Sequence, residues 1–141
     1  MKGILKASFP GIFFLLISVL LFSCSKTVRF QPSVVVPGAD AKIKITKDNN
    51  KNNVIEMTVT NLADPARLTP ARKTYVAWME TNEGIKNIGQ LISETSYFSS
   101  ARKAVLKAST PFKPTRFFIT AEDDASIRYP GNQVVLTTDK F

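Results

Sequence analysis

The chain has 141 residues with 19 Lys plus Arg against 11 Asp plus Glu, no histidine and one cysteine, Cys24. That inventory excludes Ser-His-Asp triads, Cys-His nucleophile pairs and zinc sites built from histidine and cysteine. The formal charge of +8 is compatible with an acidic partner, but charge alone names none.

The first element is an N-terminal signal. Lys2 and Lys6 form a short basic region, Ile12 to Phe22 are apolar apart from Ser18, and the small Ser23 precedes Cys24. As a helix this run would be about 16 Å long, and about 21 Å if it began at Phe9, against a hydrocarbon layer of about 30 Å. The layout therefore predicts a cleaved signal over residues 1–23 rather than a permanent membrane span. Leu21-Phe22-Ser23-Cys24 resembles the lipobox of bacterial lipoproteins, although Phe22 is bulkier than the family's usual residue at that position. The resemblance implies that the Cys24 thiol carries a diacylglyceryl group and that the cysteine becomes the first mature residue. The competing reading is an ordinary secretory signal followed by a chance free cysteine. Two or more acyl chains hold a protein stably on a bilayer, since each buried CH₂ contributes about 0.8 kcal/mol. An acylated Cys24 is also unavailable for a disulfide, a metal or catalysis.

Removing residues 1–23 leaves 118, enough for one domain, and lowers the charge to +6. Ser25 to Ser33 contains Lys26, Arg29 and Pro32 among isolated apolar residues and reads as a tether of nine residues, with residues 24–33 as the linking segment. Extended, it would reach about 30 Å at most. Surface-displayed lipoproteins of some Gram-negative groups have an acidic run after the cysteine. Ser25-Lys26-Thr27-Val28 has none, which points to the periplasmic face of the outer membrane.

The folded domain is predicted over residues 34–141. Val34-Val35-Val36 is β-branched, and Lys42 to Thr46 alternates polar and apolar residues, so both read as strands. Asp48 to Asn53 is a polar turn that lacks the spacing, glycine and closing glutamate of a calcium loop. Ile55, Met57 and Val59 complete a hairpin. Leu62 to Arg72, with Pro65 and Pro70, reads as a crossover loop whose helical tendency around Ala63 to Arg67 cannot extend. Lys73 to Glu80 is a nearly continuous apolar run, as expected of a central strand buried on both faces.

Beyond the turn at Thr81 to Gly84, further strands are expected at Ile85 to Ile92 and Ser96 to Ser99. Ala101 to Ser109 alternates Ala104, Leu106 and Ala108 against basic residues, and helix remains open there. Arg116 to Glu122 is a second strongly apolar strand, Asp123 to Asn132 a loop, and Gln133 to Thr138 the last strand. Many short strands with frequent turns and no long helix predict an all-β fold, an antiparallel β-sandwich of about seven or eight strands.

Four segments, Tyr75 to Glu80, Ile88 to Leu91, Phe118 to Glu122 and Pro130-Gly131 with Val134 to Leu136, resemble in order and spacing the extracytoplasmic C-terminal domain of anti-sigma-K factors. The resemblance covers about half of the mature chain. It implies an immunoglobulin-like sandwich with Trp78 packed between the sheets. The sequence lacks sigma-binding helices and a membrane span, and Asp123 to Ser126 replaces the family's glycine pair, so sigma regulation is not carried over.

Glu122, Asp123 and Asp124 cluster at a strand end near Arg128 and Tyr129, leaving a carboxylate-based hydrolase as the competing function. A sensor of envelope stress is a third reading, on the family resemblance alone. The favoured expectation is a non-catalytic binding or structural module of the cell envelope that needs no cofactor. Its partners would be membrane lipid through Cys24 and an envelope protein or anionic glycan, with nucleic acid disfavoured by the export signal.

Overall fold

The computed structural model describes residues 25–94 and 102–141. The signal at 1–23, Cys24 and the strand expected at Ser96 to Ser99 lie outside the described residues. Nine strands are present among those described: β1 (Lys26–Arg29), β2 (Asp40–Lys47), β3 (Asn53–Thr60), β4 (Thr74–Thr81), β5 (Gly84–Leu91), β6 (Ser93–Glu94), β7 (Lys103–Thr110), β8 (Pro114–Glu122) and β9 (Val134–Thr137). A single 3₁₀ turn at Pro65–Arg67 interrupts the β3–β4 crossover, capped by the Asp64 side chain accepting from the Ala66 N–H.

Two antiparallel sheets result, ordered β1-β2-β3-β7-β6 and β5-β4-β8-β9. Chain order and pairing together give the immunoglobulin-like Greek key. The strands β2-β3-β7-β6 occupy the places of A-B-E-D, β5-β4-β8-β9 those of C′-C-F-G, and β1 is an added edge.

The main core lies between the sheets. In β2 and β3 the alternation works as the sequence predicts: Ala41, Ile43, Ile45, Ile55, Met57 and Val59 are buried, and Lys42, Lys44, Glu56 and Thr58 face outward. Tyr75, Ala77 and Met79 of β4 and Phe117, Ile119 and Ala121 of β8 close the core from the other side. Burial pushes the Tyr75 phenol up to about 12, and its hydroxyl donates to the Ala63 carbonyl at 3.0 Å.

Within the stretch where the sequence leaves helix open, Lys103–Thr110 is strand, because Ala104, Leu106 and Ala108 share one face only at a spacing of two, and β3 offers eight paired residues as partner.

Two expectations near the N-terminus need correction. Residues 25–33 are not a free tether. Lys26 to Arg29 pair with Lys42 to Ile45 along the otherwise open edge of β2, Phe30 is buried, and the Gln31 N–H donates to the Thr137 carbonyl. Among the described residues, Lys26 to Arg29 thus belong to the folded unit. Val34 to Val36, conversely, is a bend and not a strand. The Ser33 hydroxyl accepts from the Val36 N–H, the Ala39 N–H returns to the Val36 carbonyl, and Val34 is 93% exposed. With Pro32 and Pro37 on either side, this local turn displaces the β-branched preference.

Candidate functional site

The outer face of the sheet β5-β4-β8-β9 carries a second, smaller core. Val76, Trp78 and Phe118 are buried there beneath Ala125 and Ile127 of the β8–β9 loop. Trp78 is fully buried, as expected for a core residue, but it does not lie between the sheets. The inward phase of β4 belongs to Tyr75, Ala77 and Met79, which leaves Trp78 pointing the other way. Its ring stacks on Phe118 with centroids 6.3 Å apart, and the Arg116 guanidinium lies 5.2 Å over the far ring.

A polar chain runs from this small core to the acidic cluster. Trp78 Nε1 donates to Thr120 Oγ1 at 2.8 Å, and Thr120 Oγ1 donates its single hydrogen to Glu122 Oε1 at 2.6 Å. The same carboxylate oxygen accepts from the Gly131 N–H at 2.7 Å. A Cβ at position 131 would stand 2.7 Å from Glu122 Oε2, so a larger residue there would displace the carboxylate from its place against the loop. Glu122 is 7% exposed, so its carboxylate is a buried clasp for the returning end of the loop.

The other acids have separate partners. Asp123 pairs with Arg72 at 2.8 Å, and the Arg72 Nε donates to Gln133 Oε1. Asp124 accepts from both the N–H and the hydroxyl of Ser126, and these bonds hold its carboxyl below the usual range. Arg128 and Tyr129 are exposed on the loop, Tyr129 by 83%. The three neighbouring acids are thus spread over three tasks rather than aimed at one reacting point.

A β-bulge completes the roof. Ala77 pairs with Gly89 but Trp78 pairs with Asn87, so Asn87 rather than Ile88 stands opposite the indole. Gly89 takes the φ of +136° that this irregularity requires. The Asn87 amide then donates to the carbonyls of Ala125 and Ile127, at 2.9 and 3.0 Å.

The second feature is a cleft of about 270 Å³ at the opposite end of the sandwich, lined by Lys26, Ile45, Lys47, Lys113, Pro114 and Phe141 among others. Phe141 is fixed by its N–H donating to the Thr115 carbonyl and by stacking on Phe117, and Lys26 Nζ sits 4.0 Å over its ring. Sequence reasoning missed this cleft, because its lysines are far apart in the chain and form no local motif. Their only local signal is the pairing of Lys26 with Ile45, which requires β1 to be recognised first.

No group of three or more potential metal-ligating side chains occurs among the described residues, and no described helix is long and apolar enough to cross a membrane. Comparison with family models, with curated proteins and with solved structures finds no match.

Proposed function

We propose that this chain is a lipid-anchored protein of the bacterial cell envelope whose sandwich serves as a binding or structural module and not as a catalyst. The anchor is the Cys24 thiol at the end of Leu21-Phe22-Ser23-Cys24, and the home of the domain is the periplasmic face of the outer membrane. The observation that carries the non-catalytic half is the occupation of the acidic cluster. A general acid or base needs a carboxyl free to meet a substrate proton. Glu122 is committed to the Thr120 hydroxyl and the Gly131 N–H under a pinned loop, and Asp123 to Arg72.

The test is metabolic labelling with a clickable fatty acid in cells that express the wild type or Cys24→Ala. The wild type is expected to take up label and to fractionate with membranes, and the variant to do neither. Equal labelling of both would overturn the anchor, and a hydrolase activity abolished by Glu122→Gln in a folded protein would overturn the module.

A further inference from the structure

We infer that the cleft between Lys26, Lys47 and Lys113 is a seat for the headgroup of an anionic phospholipid in the membrane that anchors the chain. The inference rests on the lipid-anchor reading and adds to it a contact and an orientation.

Charge, shape and chain connectivity converge on this cleft. Its three ammonium groups belong to exposed side chains, and none of them is in an ion pair among the described residues. Lys47 Nζ meets only the Lys51 carbonyl, at 3.2 Å, and Lys26 only the Phe141 ring. Between the lysines the lining is mostly apolar, from Ile45, Pro114 and the Phe141 ring, with Thr46 and Asn53 beside them. Cationic rim and mostly apolar lining match an amphiphile with a phosphate at one end and glycerol and acyl carbon at the other, better than they match a free, fully hydrated anion.

Connectivity supplies the third argument. Lys26 opens β1 and lines the cleft, and only Ser25 separates it from Cys24. Two residue steps cover at most about 7 Å of extended chain. An acylated Cys24 therefore holds this end of the sandwich at the headgroup layer, where each lysine adds attraction to anionic lipid within about a Debye length. The Glu122 loop and the crossover at Lys73 then stand at the far end, away from the bilayer.

The experiment uses the full chain purified from membranes and reconstituted into vesicles of phosphatidylcholine alone or of phosphatidylcholine with phosphatidylglycerol. Lysine acylation rates are read residue by residue by mass spectrometry, with Lys73 and Lys103, at the far end, as internal references. Lys26, Lys47 and Lys113 are expected to react several-fold more slowly than the references in phosphatidylglycerol vesicles, and to recover in neutral vesicles or high salt. Equal rates at both ends in phosphatidylglycerol vesicles would overturn the headgroup seat. So would the same slowing produced by inorganic phosphate in neutral vesicles, which would make the cleft a free-anion site. Intact mass separates the two levels: an acylated chain with unprotected lysines loses only the cleft, whereas an unacylated chain loses the anchor and this inference with it.

Discussion

The two sheets of this sandwich share one core but differ in what lies on their outer faces. The face of β2, β3 and β7 that points away from the core shows Lys42, Lys44, Glu56, Thr58 and Lys107 to water. The corresponding face of β4 and β8 buries Val76, Trp78 and Phe118 under a loop. Strands buried on both faces are usually covered by helices. Here eleven residues, 123–133, do the covering with two apolar side chains, and the polar bonds of Asn87, Glu122 and Arg72 hold them down. Where cover is that thin, hydrogen bonds must do what packing area does elsewhere.

The sharpest way to break this contrast is Trp78→Ala. Truncating a fully buried aromatic typically costs about 3 to 5 kcal/mol, a large share of the roughly 5 to 15 kcal/mol that holds a domain together. The urea midpoint, followed by circular dichroism, should fall steeply. An unchanged midpoint would mean that the small core is dispensable.

Next in size is Glu122→Ala, which strips the partner from the Gly131 N–H and the Thr120 hydroxyl. An unsatisfied buried donor costs about 1 to 3 kcal/mol. Amide exchange at Gly131 should accelerate more than exchange in β2 and β3, whose protection follows global unfolding. Unaltered exchange at Gly131 would show that the clasp does not hold the loop. The smallest effect belongs to the wet sheet. Lys107→Ala removes an exposed pair with Glu56, 3.8 Å long, and should move stability by less than about 0.5 kcal/mol. A loss comparable to that of Glu122→Ala would erase the distinction between the two faces.

Much of this arrangement could be read from residues alone, and the failures have physical causes. β2 and β3 were legible because strict alternation fixes both the strand and the face that turns inward. β4 was legible as a central strand, yet a continuous apolar run carries no phase, so nothing in Tyr75 to Met79 said that Trp78 looks outward. β1 escaped because Lys26-Thr27-Val28-Arg29 owes its shape to the free edge of β2, a partner thirteen positions away at the nearest pairing, that of Arg29 with Lys42. At the candidate site, the clustering of Glu122, Asp123 and Asp124 was plain, but their division among Gly131, Arg72 and Ser126 depends on how the loop folds back.

Trp78 is the only tryptophan in the chain. Emission excited at the red edge of protein absorbance therefore comes from a single place, the space beneath the β8–β9 loop, and is blind to the inter-sheet core. A blue-shifted signal that moves to the red before the circular dichroism changes would record the loop lifting while the sandwich stays intact. The protein thus carries its own reporter for the small core under that loop, and a partner that docks on the loop could be titrated without any added label.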